Sequence, residues 1–65
     1  MTLRAARIEA GLTQGKVAKH FRTHASFVSK VESGERRIDV VELADFCGIY
    51  GIRLGAFLKR AGMEP

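Results

Sequence analysis

His24 to Gly34, HASFVSKVESG, is the stretch whose reading decides the fold. Projected at roughly 100° per residue, residues 25 to 33 gather Phe27, Val28 and Val31 on one side and set Ala25, Ser26, Ser29, Lys30 and Ser33 on the other. One side is apolar enough to enter a core. The other is small, hydroxylated and singly cationic, where an ordinary surface helix carries long Glu and Lys side chains. A face so shorn of bulk suits a helix that must come close to base edges without burying a large apolar area. Gly34 takes the left-handed conformation cheaply, so the pattern predicts a helix over 25–33 that stops there.

Toward the N-terminus, only Arg22, Thr23 and His24 separate this helix from the preceding periodic segment. That segment, Gln14 to Phe21, has Thr13 as its N-cap, Val17, Ala18 and Phe21 inward, and Lys16, Lys19 and His20 outward. Two helices joined by about three residues cross steeply, the geometry of a helix-turn-helix. A first helix is expected from the Thr2 cap to about Ala10, with Gly11 as its stop and Leu3, Ala6, Arg7 and Ala10 as its inward stripe. Arg7 is the exception there, because a guanidinium on a buried stripe needs a carboxylate partner.

Toward the C-terminus, Glu35 to Ile38 read as a turn, with Ile38 as a core anchor. Asp39 and Glu42 form a capping box, which predicts a fourth helix from Val40 to about Tyr50 ending at Gly51. Leu43, Phe46, Cys47 and Tyr50 make its inward stripe. Val41, Gly48 and Ile49 fall outside that stripe, and exposed apolar residues on a small domain suggest a partner surface. A fifth helix, Leu54 to about Ala61, repeats Leu54, Phe57, Leu58 and Ala61, a stripe long enough to need a second copy to cover it. Gly62 to Pro65 is expected to be a frayed tail.

Sixty-five residues allow one domain, residues 1–65 with its core over 2–61, and the expected fold class is all-α, a compact bundle of five short helices. Eleven Lys and Arg against seven Asp and Glu give a net charge of +4, which favours a polyanionic partner. The four Phe and one Tyr do not alternate with basic residues, as they do on a base-stacking platform for single strands. Cys47 is the single cysteine. It reads as core filler and points to a reducing compartment. His20 and His24 stand four apart, but the turn separates them and no third ligand is near, so neither a metal nor another cofactor is expected. No apolar run approaches the ~18 residues that span a bilayer, and the first residues lack the apolar stretch of a signal peptide. A cytoplasmic protein with no membrane partner is expected. No nucleophile, base and orienting acid fall together at readable spacing, and no glycine-rich phosphate loop is present, so an enzyme is not expected.

The string GLTQ…VAKHF…SFVSKVESGERR resembles the lambda-repressor-like helix-turn-helix family, the Xre or Cro/C1 type, over about Leu3 to Leu58. Leu12, Gln14, Ala18, Val28, Glu32 and Gly34 keep that family's mutual spacing, and residues 26–42 look like one branch of its small regulators. The resemblance implies a sequence-specific regulator of transcription that binds double-stranded DNA, a small dimeric repressor or autoregulator. Its third helix would enter the major groove of a near-palindromic operator with half-sites roughly 34 Å apart. Base reading would fall to Ala25, Ser26 and Lys30, with Ser29 on the same face and Thr23 and His24 at the helix start. Gln14 would brace the first turn of the recognition helix and hold a phosphate. Lys16, Lys19, Arg22, Arg36 and Arg37 are the further phosphate candidates. Arg7 and Glu32 match a family pair that ties the first helix to the third.

Two positions depart from the pattern. Arg22 stands where the family often has glycine, so either Arg22 takes a left-handed conformation at a cost near 1 kcal/mol or the turn differs. Ala25 stands where a long polar residue is common, and it can touch a thymine methyl but donates no hydrogen bond. Two-fold operators require a two-fold protein, and Ile49, Leu54, Phe57 and Leu58 are the expected homodimer surface. The competing class is a protein-interaction module, an antitoxin-like or antiactivator subunit that keeps this fold and occupies a regulatory protein partner. Ala25, Val41 and Ile49 favour it.

Overall fold

The computed structural model describes residues 1–62 and contains five α-helices: α1 (Leu3–Glu9), α2 (Gln14–His20), α3 (Ala25–Ser33), α4 (Val40–Tyr50) and α5 (Leu54–Arg60). Among the described residues there is no strand. The all-α architecture is the expected one, and each helix lies within a residue of its expected bounds. Of the frayed tail expected over Gly62 to Pro65, residues 63–65 lie outside the described residues.

Local chemistry sets the helix ends. The Thr2 hydroxyl accepts from the Ala5 N–H at 3.0 Å and that of Thr13 from the Lys16 N–H at 3.2 Å. At α4 the capping box is complete: Asp39 Oδ1 accepts from the Glu42 N–H at 2.7 Å, and Glu42 Oε1 accepts from the Asp39 N–H at 3.3 Å. These bonds satisfy backbone donors that the helix itself leaves open. His24 and Arg53, which precede α3 and α5, make no such side-chain bond.

Val17, Val28 and Phe46 are fully buried and Cys47 nearly so, joined by Ala6, Ala18, Val31, Tyr50 and Phe57. A column of rings runs through this core. Phe21 lies 4.6 Å from Phe46 and 5.7 Å from Phe27, and Phe46 lies 6.1 Å from Tyr50, centroid to centroid. Tilted pairs at these separations suit the aromatic quadrupole. The column bolts α2 and α3 onto α4, so the apolar side of α3 is spent inward and its polar side is left out.

Three expectations are corrected. Ala10 is exposed, because α1 ends at Glu9 and Ala10 is its C-cap. Ile49 is half-buried and packs against the core, whereas Val40 and Val41 are the exposed apolar residues of α4, at 65% and 66%. Phe57, expected on the dimer surface, is 3% exposed within its own chain, and Leu54 and Leu58 are half-buried against the same core. α5 folds back on α4 and seals Phe57, while Leu54 and Leu58 keep part of their surface open.

Candidate nucleic-acid interface

The turn between α2 and α3 is a left-handed helix stop built on an arginine. Arg22 has φ +55. The Arg22 N–H donates to the Lys19 carbonyl at 3.1 Å and the Thr23 N–H donates to the Ala18 carbonyl at 3.0 Å, the two bonds of a Schellman motif. The left-handed conformation costs a side chain-bearing residue about 1–2 kcal/mol, and these two bonds offset it. Of the two alternatives open at Arg22, the turn therefore takes the left-handed one. Chain direction is reversed at this point, and α3 starts three residues later.

Thr23, His24, Ala25, Ser26, Ser29 and Lys30 are all exposed, while Val28 and Val31 on the reverse of α3 are buried and Phe27 is half-buried. The expected base-reading residues thus share one surface, made of the entrance and the outward face of α3. Among the described residues, the side chains of Ser26, Ser29 and Lys30 enter no hydrogen bond or ion pair. Their donors face solvent. Lys16, Lys19 and Arg22 are exposed on α2 and the turn. Past α3, the Arg36 guanidinium carbon lies 4.8 Å from the centre of the Phe27 ring, a cation–π contact worth about 0.5–1 kcal/mol at an exposed site. It parks Arg36 on the flank of α3. Arg37 is exposed beside it.

Behind this face lies a polar network. Arg7 Nε donates to Glu32 Oε2 at 2.7 Å and Arg7 Nη2 to Glu32 Oε1 at 3.2 Å, a two-pronged fork, while Nη1 donates to the Leu12 carbonyl at 2.9 Å. The two side chains are only 11% and 4% exposed. The hydrogen bond to Glu32 raises the Arg7 pKa above its ordinary value against the opposing pull of desolvation. Here α1, the α1–α2 link and α3 meet in one cluster.

Gln14 joins the same cluster, and this corrects the bracing contact expected of it. Its Nε2 donates to Glu32 Oε1 at 3.1 Å, and Glu32 sits in the last turn of α3, not the first. One of its two amide hydrogens is therefore committed inside the protein. Tyr50 stands near the same charges. Burial, reinforced by the negative charge of Glu32, pushes its phenol up to about 12, and among the described residues its buried hydroxyl has no partner. Neither the Tyr50 neighbourhood nor the Arg36–Phe27 contact carried a signal in the sequence, since both depend on how separate elements cross.

Among the described residues no three His, Cys, Asp or Glu are grouped to hold a metal ion, and no helix is long and apolar enough to cross a membrane. A family model described as a helix-turn-helix domain matches residues 1–56, from the start of the chain through α4 and into the first turn of α5. No curated protein and no solved structure matches the chain.

Proposed function

Since the chain belongs to the helix-turn-helix domain family, we propose that it is a sequence-specific, double-stranded DNA-binding transcriptional regulator of the lambda-repressor-like, Xre or Cro/C1, type. In this reading it acts in the cytoplasm as one domain, a small repressor or autoregulator whose two copies read a near-palindromic operator. The observation that carries the reading is the outward face of α3. Ala25, Ser26, Ser29 and Lys30 are exposed together on it, with Thr23 and His24 at its entrance, and no bulky apolar side chain stands among them.

Such a face lets the helix axis approach the floor of the major groove. Lys30 reaches the acceptors of a guanine, the two serines take either donor or acceptor edges, and the Ala25 methyl packs on a thymine methyl. Lys16, Lys19 and Arg22, with Arg37 on the far side, neutralise phosphates and release counterions, so affinity falls as salt rises. The Arg7–Glu32–Gln14 cluster supports this reading because it fixes the angle of α3 against α1 and α2. A second reading, a module that occupies another regulatory protein, is favoured by the exposure of Val40 and Val41.

Gel retardation on the DNA upstream of its own gene, repeated over a salt series, tests the proposal. Retention specific to that duplex and weakening steeply with salt is expected. Lys30→Ala should lower specific affinity by ~1 to 3 kcal/mol with the fold intact, and equal affinity for parent and variant removes Lys30 from the site. No preference for any duplex, together with a tight complex with another protein, favours the second reading.

A further inference from the structure

Phe27 is packed against the core and yet stays partly outside it. Its ring lies 5.7 Å from Phe21 and 6.1 Å from Phe46, centroid to centroid, so the end of α2 and the middle of α4 fix how it stands. The residue is still only half-buried, and the Arg36 guanidinium carbon stands over the ring, 4.8 Å from its centre. The backbone brings it there. Past Gly34 the chain turns back along α3, and the Arg36 N–H donates to the Lys30 carbonyl at 3.1 Å. Arg36 is thus held at two points, by its own amide and by a clamped aromatic plate.

Charge says why such a hold matters. Residues three apart are neighbours on a helix surface, so a cation over Phe27 stands beside the turn that carries Lys30. Among the described residues the ion pairs are Arg7–Glu32 and Arg60–Glu9, and neither Lys30 nor Arg36 is in one. Two exposed cations kept on one flank attract an anion from outside. A guanidinium meets a ring through its flat face and an oxyanion through the N–H groups at its edge, so the ring leaves the phosphate-binding fork free. A side chain that is already ordered also loses less freedom when it binds. We propose that Phe27 is a positioning residue for DNA: its ring presets Arg36 beside Lys30, edge outward, to take a backbone phosphate of the duplex that α3 enters.

This role rests on the DNA-binding function proposed above. Arg36 makes the contact, and Phe27 lowers its entropic cost without touching the duplex.

Fluorescence anisotropy with a labelled duplex from upstream of its own gene, and with an unrelated duplex, tests it over a salt series. Phe27→Leu should weaken binding about two- to tenfold, the cost of ordering one long side chain, and keep the parent's salt slope because the phosphate is still met. Arg36→Ala should weaken binding and lower that slope by about 1. In the Arg36→Ala background Phe27→Leu should change nothing further, and Phe27→Tyr, which keeps the ring, should bind as the parent does. Arg36 is exposed, so Arg36→Lys leaves the fold alone; it keeps the charge, lacks the flat face, and should match Phe27→Leu in loss and slope. A Phe27→Leu loss as large without Arg36 as with it makes the ring mere packing and overturns the inference. Parent-like affinity for Arg36→Lys, or a parent-like slope for Arg36→Ala, overturns it too. A parent that binds both duplexes equally sinks the sequence-specific regulator while the same variants still decide the role of Phe27, and a parent that binds neither sinks both.

Discussion

Tyr50 places a phenol in the interior at 8% exposure and gives its hydroxyl no partner among the described residues. A buried polar group without a bond costs stability that the same ring without oxygen does not. Because the folded-state value is pushed up from 10 to about 12, the native chain holds this proton more tightly than the unfolded chain does. Its contribution is complete below pH 10 and is lost as pH rises toward 12. Tyr50→Phe is expected to be neutral or stabilising by about 1 kcal/mol at pH 7, and to flatten the alkaline loss of stability in urea midpoints measured across that window. A loss above about 1 kcal/mol at pH 7 would reveal a bond to the hydroxyl. At this scale the sequence was half legible. The inward stripe of α1 showed that Arg7 needed a carboxylate, but periodicity assigns a face and not a neighbour, so the influence of the Glu32 charge on Tyr50 left no trace.

Among the described residues few side-chain polar contacts tie one helix to another, and the Arg7–Glu32 fork is the main one. Both side chains are largely removed from water, so deleting one strands the charge of the other. Glu32→Ala and Arg7→Ala should each lower unfolding free energy by about 3 kcal/mol or more, read from urea denaturation, whereas replacing both with apolar residues of similar volume should lose less. A loss under about 1 kcal/mol for the single variants would rank the pair with solvent-exposed bridges. Helix limits were legible because Thr2, Thr13 and the Asp39–Glu42 box are side-chain devices written next to the segments they cap. Ala10 was misplaced by the same logic. Its spacing continues the stripe, but the helix had already ended.

For the molecule as a whole, charge and apolar surface are divided by element. Cations populate the outer sides of α2 and α3 and both ends of the sequence, while α4 has none. The two faces of α3 were legible because Val28 and Val31 repeat at helical spacing and the residues between them, Ser29 and Lys30, are polar. What covers a stripe was not. Leu54, Phe57 and Leu58 look alike whether a second copy or the chain's own α4 lies over them, and only the docking of α5 decides it.

Cys47 sits at the centre of α4, 1% exposed, and burial raises its thiol above the ordinary value. Reagents attack the thiolate, so alkylation must wait until the interior opens. The chain therefore contains its own stopwatch. With a maleimide in excess and mass spectrometry as the readout, labelling of the native protein should run slower than that of the urea-unfolded chain by the factor that measures cooperative opening. Native labelling as fast as unfolded would mean that the middle of α4 swings free while the remainder stays folded.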